Sequence, residues 1–281
     1  METLVQFTDR AAKKSDYEAG YLSIIKYFHT VQGEAPYVGF PCVFLRLAGC
    51  NRGAKIGVDC EFCETSFELH KSLCFSVDVL ANIIFRELEP YHSPMLVITG
   101  GEPMLQMDSI SMFLTHLSDL LVADGKSNRR LLVQFETNGD FRPSLSTGRP
   151  NKYLFEFDHI DLAFVVSPKG PAIRDNQWFT SVDLRRSENP NKLTFVKIFM
   201  RRIVSVEAPY NELNLSWVYA PFDKMYLSPM MMYKKEGDTV VVDYERSVQN
   251  SKHAMKLIKQ SGYRYAMSFQ SHVFIINGYQ I

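Results

Sequence analysis

The chain has 281 residues, enough to bury a sizeable core in one large domain or two small ones, and its 46% hydrophobic and 22% charged residues are those of an ordinary globular protein. Lys and Arg number 31 and Asp and Glu also 31, a balance that argues against a broad electrostatic grip on nucleic acid but not against a local basic groove. The opening METLVQFTDRAAKKSDYEAG has no apolar run suited to a signal peptide, and no segment nears the roughly 18 apolar residues of a membrane span. A cytoplasmic, reducing setting is therefore expected, with no membrane or nucleic-acid partner.

No repeat, low-complexity tract or sharp boundary divides the chain, so one domain is expected over 1–281, with 1–20 as an extension and 273–281 as a tail. CVFLRLA (42–48) reads as a strand, with Cys42 as a buried thiol. A cysteine-rich loop follows, and then Cys74, also expected to be a buried structural thiol. Ser76 reads as the N-cap of a helix carrying Val77, Leu80, Ile84 and Leu88 on one face. MLVITGG (95–101), a helix over 104–122, LLVQFET (131–137) and LAFVVSP (162–168) come next. RRSENPNK (185–192) and 205–223 read as loops or peripheral insertions, either side of the strand TFVKIFM (194–200). KMYLSPM (224–230), a helix over 244–261 ending at Gly262, and YAMSFQS (265–271) complete the series. The strands are apolar without clean alternation, as in a parallel sheet covered on both faces. The pattern predicts an α/β fold with a full or partial barrel, and chemistry at the C-terminal ends of its strands. The aromatic residues and the methionines are expected to fill the core.

GCNRGAKIGVDCEFCETSFE (49–68) holds Cys50, Cys60 and Cys63. In a reducing setting these are metal ligands or free thiols before they are disulfides. With a fourth ligand, for which His70 is the nearest candidate, they would make a structural zinc site. Three cysteines alone would instead leave one iron of a 4Fe–4S cluster open to another ligand. Further on, TGGEP (99–103), ETNG (136–139) and SPK (167–169) each stand at the end of a predicted strand. Paired glycines make a tight turn or let a ligand approach the backbone, and Glu102 could bind an amine.

The three-cysteine loop followed by GGEP resembles the radical S-adenosylmethionine superfamily, although nine residues separate Cys50 from Cys60 where that superfamily usually has three. TVQGEAPYVGFPCVFLRLAGCN (30–51) looks like the N-terminal signature of the 7-carboxy-7-deazaguanine synthase family, some members of which lengthen this loop. TGGEP, ETNG, SPK and YRYAMSFQSH (263–272) are similar to the later motifs of that family. The resemblance runs from about residue 24 to 272 and is weaker over 170–260.

It implies a partial (β/α) TIM-like barrel with an expanded cluster-binding loop. The implied reaction contracts 6-carboxy-5,6,7,8-tetrahydropterin to 7-carboxy-7-deazaguanine with loss of ammonia. A deoxyadenosyl radical would be formed from S-adenosylmethionine by one electron from the cluster, and would take hydrogen from C6 of the substrate. The implied roles are Cys50, Cys60 and Cys63 on a 4Fe–4S cluster, and Thr65 on Mg²⁺. Gly100, Gly101 and Glu102 would meet the methionine end of S-adenosylmethionine, with Ser167 and Lys169 also on that cofactor. Gln32, Glu34, Thr99, Glu136, Gln270 and His272 would line the pterin site. No catalytic side chain is implied beyond the cofactor radical. Glu64 stands where the family has aspartate. An electron donor such as flavodoxin or ferredoxin and a homodimer are also implied. Two other readings stay open from the sequence: a radical enzyme for a different heterocycle or a peptide, and a non-enzymatic zinc-binding protein.

Overall fold

Runs of apolar, β-branched residues become the central strands of one sheet. The computed structural model describes residues 12–13, 16–52, 67–125, 130–141, 157, 159–167, 196–204, 206, 223–237 and 239–270. Along them run β1 (Tyr21–Val31), β2 (Pro41–Leu47), β3 (Leu73–Ser76), α1 (Val77–Leu88), β4 (Met95–Gly100), α2 (Met107–Ala123) and β5 (Leu131–Thr137). β6 (Ile160–Val166), β7 (Val196–Val204), β8 (Lys224–Pro229), β9 (Tyr233–Glu236), β10 (Thr239–Val242), α3 (Tyr244–Gln260) and β11 (Tyr265–Met267) follow. Among the described residues nine strands make one sheet, in the order β11-β8-β7-β6-β5-β4-β2-β1-β3, and β9 and β10 form a separate ribbon. Every neighbouring pair from β2 to β11 is parallel, whereas β1 is antiparallel to both β2 and β3. β11 and β3 do not pair with each other, so this mostly parallel sheet is open. The α/β class agrees with the sequence; the described strands close no barrel.

Alternation along each strand sorts the two faces. Val43, Leu45 and Leu47, Leu96 and Ile98, Val133 and Phe135, and Leu162 and Phe164 all point to α1 and α2, where they meet Leu80, Ile84, Ile110 and Phe113. Phe135 and Phe164 stack at 4.8 Å between ring centroids. Farther along, α3 packs Ala254, Leu257 and Ile258 on Val204, Leu227 and Tyr265 of the same face. The opposite face carries Cys42, Val97, Ala163, Val165, Phe199 and Tyr226, and takes no described helix.

Ser76 does occupy the N-cap position of α1, but its side chain caps no backbone N–H. The expected stripe of Val77, Leu80, Ile84 and Leu88 is buried. The helix expected over 104–122 begins instead as a 3-10 turn, Pro103–Gln106, before α2. α3 stops near Gly262, where the N–H groups of Gly262 and Tyr263 return to the carbonyls of Lys259 and Ile258. Cys74, expected to be a buried thiol, is exposed: β3 pairs only with β1 at the edge of the sheet, and Leu73 and Cys74 stay open to solvent. Cys42 is buried as expected, and burial, with Glu136 as the lesser cause, pushes its thiol up to about 12. β1 carries no element assignment from the sequence, because Ser23, Lys26, His29 and Thr30 interrupt its apolar residues. The loop 185–192 and most of 205–223 lie outside the described residues.

Leu80 is fully buried in α1 and its neighbour Val79 is 47% exposed. Leu80→Ala should therefore lower unfolding free energy by about 2–5 kcal/mol, and Val79→Ala by less than about 0.5 kcal/mol. Urea midpoints of the two variants provide the check; equal losses would contradict the placement of α1.

Candidate active site

The segment between β1 and β2 is folded back over the face of the sheet that takes no described helix. Its ends are held by Gln32 N–H to Phe40 O and Gly39 N–H to Gln32 O, both 2.8 Å. Ala35 and Tyr37 pack on Ala163, Val165, Phe199, Tyr226 and Leu132, with the Tyr37 ring edge-on to Phe199. The Ala35–Pro36 peptide is cis, and Ala35 N–H donates to Ser268 Oγ at 2.9 Å. Ser268 is itself held by Ser228, whose hydroxyl donates to the Ser268 carbonyl at 2.8 Å. Apolar contact thus lays this segment across β5 to β8, and that carries Gln32 and Glu34 to the ends of distant strands.

There they enter a string of hydrogen bonds. Glu136 Oε1 accepts from Gln32 Nε2 and from Gln134 Nε2, both at 3.2 Å, and its Oε2 accepts from Thr99 Oγ1 at 2.8 Å. Gln32 Oε1 accepts from the Glu34 N–H at 3.1 Å, and Gln270 Nε2 donates to Glu34 Oε1 at 3.0 Å. Gln32, Glu34 and Gln134 are buried, whereas Thr99 and Glu136 are half-buried. A carboxylate has about four acceptor positions, so three donors leave Glu136 able to take another from a ligand. Two carboxylates set in this way suit a planar ligand edge with paired N–H groups.

The ends of β2, β4 and β5 meet next to this string. Gly101 N–H donates to Leu47 O at 3.1 Å and Glu102 N–H to Gly49 O at 2.9 Å. A Cβ on Gly100 would collide with Leu47 backbone, and one on Gly101 with the Gly49 carbonyl. Gly100 also has φ +120, a conformation that L side chains rarely adopt. The described neighbours that demand this glycine pair are therefore the chain's own backbone just before Cys50. Glu102 is wholly buried. Its Oε1 accepts from Thr137 Oγ1 at 2.6 Å and Met104 N–H at 3.1 Å, and its Oε2 from Asn138 N–H at 2.7 Å. Burial pushes its carboxyl up to about 7; the three hydrogen bonds oppose the rise, and Asp140 adds to it.

Cys50 stands where the cysteine-rich segment leaves the sheet. Gly49 N–H donates to Phe67 O at 2.6 Å, so that segment departs and returns at one point. On its other side the Cys50 carbonyl accepts from Ala12 N–H at 2.9 Å, and Tyr17 OH donates to Ala48 O at 3.0 Å.

Of the residues singled out from the sequence, Gln32, Glu34, Thr99, Glu136 and Gln270 come together in the one string. Gly100, Gly101, Glu102 and Cys50 form the adjoining strand-end cluster. Ser167 is buried at the end of β6, its N–H donating to Thr137 O at 2.8 Å. His70 is exposed on a 3-10 turn, Leu69–Lys71. Cys60, Cys63, Glu64, Thr65, Lys169 and His272 lie outside the described residues.

Three side chains at the site carry no role assigned from the motifs. Gln134, fully buried, grips Glu136 two positions along the same strand, and its Oε1 has no hydrogen-bond partner among the described residues. Arg46 pairs in register with Thr99, and its guanidinium lies 5.6 Å from the Phe28 ring centroid. A lone cation in the apolar CVFLRLA was the available signal. Lys26 shares that ring at 4.7 Å; its pKa is pushed down by partial burial and then by Arg46.

No family model matches the chain. Among curated proteins, the 7-carboxy-7-deazaguanine synthase of Hyperthermus butylicus is 32% identical over 166 residues, covering 58% of this chain and 59% of its own length. The proteins of the same name from Chlorobaculum tepidum and Rhodospirillum rubrum are 33% and 37% identical over 118 and 127 residues, covering 42% and 45% of this chain and 44% and 46% of their own lengths. The chain is thus similar to these synthases over about half of their length. A crystal structure of QueE from Escherichia coli matches 90% of this chain and 95% of its own, with TM-score 0.52 and 20% identity, a likeness of fold.

With a pKa of about 7 against an ordinary 4.5, folded Glu102 favours its protonated form. Its contribution to stability is complete below about pH 4.5 and is lost as pH rises through about 7, on the order of 3 kcal/mol in all. Glu102→Gln should flatten the fall in stability across that window, although its amide NH₂ would face a backbone donor and lower stability by about 1–3 kcal/mol at low pH. Denaturant midpoints from pH 4 to 8 measure both effects; parallel curves for the two proteins would refute the assignment.

Proposed function

We propose that the chain is a radical S-adenosylmethionine enzyme that contracts 6-carboxy-5,6,7,8-tetrahydropterin to 7-carboxy-7-deazaguanine with loss of ammonia. One observation carries the reading: Gln32, Glu34, Thr99, Glu136 and Gln270, drawn from remote parts of the chain, share one hydrogen-bonded string. That string adjoins, through Thr137 and Asn138, the strand ends from which the three-cysteine segment departs. The similarity to named synthases over about half of their length supports it.

The donor set fits the implied cofactors. Cys50, Cys60 and Cys63 are three soft thiols on one short segment, with Cys50 half-buried on a backbone held from both sides. They would hold the 4Fe–4S cluster, which with S-adenosylmethionine would supply the one-electron chemistry that begins hydrogen abstraction. Gly100, Gly101 and Glu102 would offer the cofactor a backbone edge, because the Glu102 carboxylate is already engaged by three donors. Ser167 and Lys169 would flank the same cofactor. Thr65 would give an oxygen to Mg²⁺, which commonly joins one or two protein groups to a substrate anion. His272 would complete the pterin site.

Within that site the residues bind and orient. Glu136, oriented by Gln32, Gln134 and Thr99, would accept N–H groups of the pyrimidine edge, and Glu34, held by Gln270, would accept at the same plane. The segment 32–40 covers the sheet face and limits water there. The described sheet, open and with its three described helices on one side, is read as a partial barrel of the radical enzyme type with an expanded cluster-binding loop. A homodimer and a flavodoxin or ferredoxin donor complete the proposal.

Anaerobic reconstitution with iron and sulfide should load a 4Fe–4S cluster, and Cys60→Ala should abolish it. The loaded protein should then convert the carboxy-tetrahydropterin in the presence of S-adenosylmethionine, reductant and Mg²⁺, and Thr65→Ala should weaken the response to Mg²⁺. Retained zinc with no cluster would overturn the radical reading. Cofactor cleavage without a deazapurine product would overturn the substrate assignment alone.

A further inference from the structure

Just after Cys50, a group of polar side chains that belongs to none of the roles above joins two loops. Arg52 forks onto Asp140, Nε to Oδ2 at 2.8 Å and Nη2 to Oδ1 at 2.6 Å. These two residues are 88 positions apart in the sequence. Asn51 Nδ2 donates to Asp140 Oδ2 at 2.7 Å, Asp140 N–H donates to Asn138 Oδ1 at 2.9 Å, and Asn138 Nδ2 returns to Asn51 Oδ1 at 2.8 Å. The last three bonds close a ring. Both amides are used at their oxygen and at their nitrogen, so each orientation is dictated by its neighbours. Asn138 N–H also reaches the buried Glu102 carboxylate, which anchors the ring to the interior.

An exposed ion pair by itself contributes little. Here the fork is bidentate, only 16% and 29% of the two side chains are exposed, and the partners belong to a closed network. Cys50 has its own backbone restraints at Gly49 and at its carbonyl. What Arg52 and Asn51 add is a fixed course for the first two residues after Cys50. The other side of the network is the stretch Thr137–Asp140, which directly follows Glu136. The two halves of the proposed reaction, the thiol segment and the substrate carboxylate, are therefore tied by side chains rather than by a shared strand. A misplacement of about 1 Å at a reacting centre can cost about 100-fold in rate.

We infer that Asp140, with Arg52, Asn51 and Asn138, is a positioning clasp that sets the start of the cluster-binding segment, Cys50 to Arg52, against the end of β5. The inference rests on the proposed function, since it takes Cys50 as a cluster ligand. Partners that orient metal ligands without touching the metal typically cost 10–100-fold in affinity when removed. Asp140→Ala should accordingly retain iron roughly tenfold less well than the wild type after anaerobic reconstitution and desalting. It should also lose the change that S-adenosylmethionine causes in the electron paramagnetic resonance of the reduced cluster. Arg52→Gln, which leaves the Asp140 carboxylate in place, carries the test if Asp140→Ala does not fold. The double variant should be no worse than Asp140→Ala, because the two residues act as one unit. Single variants with wild-type iron retention and resonance would overturn the clasp alone, as would losses that add in the double variant. A wild-type protein that takes up no cluster would overturn both the clasp and the function it rests on.

Discussion

The buried carboxylate of Glu102 is the contact on which the rest of the site depends. Taking a carboxylate out of water is unfavourable; the donors Thr137, Asn138 and Met104 all turn toward Glu102 and offset part of that cost, while burial still raises its pKa to about 7. Its own N–H is given to Gly49. One side chain and its backbone therefore bring the ends of β2, β4 and β5 to a common point, together with the start of the 3-10 turn before α2. The glycines at 100 and 101 are part of the same constraint, because the approach of Leu47 and Gly49 leaves no space for a Cβ.

From that point two structures extend in opposite directions. Toward the thiol segment, Asn138 and Asp140 hold Asn51 and Arg52. Toward the sheet face, Glu136 gathers Gln32, Gln134 and Thr99. The division of the sheet makes room for the second. All three described helices pack on one face, and a short segment lies on the other, pressed down by Ala35 and Tyr37. Among the described residues a single layer of chain lies over that face, and Glu136 is half-buried and within reach of a ligand.

Much of this could be anticipated from residue pattern. Buried apolar runs marked β4, β5 and β6 to within a residue or two, and the stripe Val77, Leu80, Ile84, Leu88 marked α1. β1 went unmarked because a strand that is half-exposed along its length mixes Lys26 and His29 with apolar neighbours. Cys74 departs from its expected burial for a related reason: whether a thiol is buried depends on what covers its strand, and β3 lies at the edge of the described sheet. The members of the site to which a motif assigned a role were legible. Arg46 and Asp140 were not, since each acquires its meaning from a neighbour on another strand or loop, and Gln134 was not because its hold on Glu136, two positions along the same strand, belongs to no quoted motif.

By itself the amino-acid sequence determined the α/β class, the three-thiol segment and the glycine-rich strand ends, because these follow from local periodicity and from residue chemistry at fixed spacing. The tertiary structure alone decided that the sheet stays open among the described residues and which of its faces is left without helices. It also decided that Glu102 faces inward, and that Gln32 and Gln270 meet acids more than a hundred positions away. The physical reason is that hydrogen-bond partners and burial are properties of what packs against a residue, and packing is set by contacts between segments that the order of residues does not show to be adjacent.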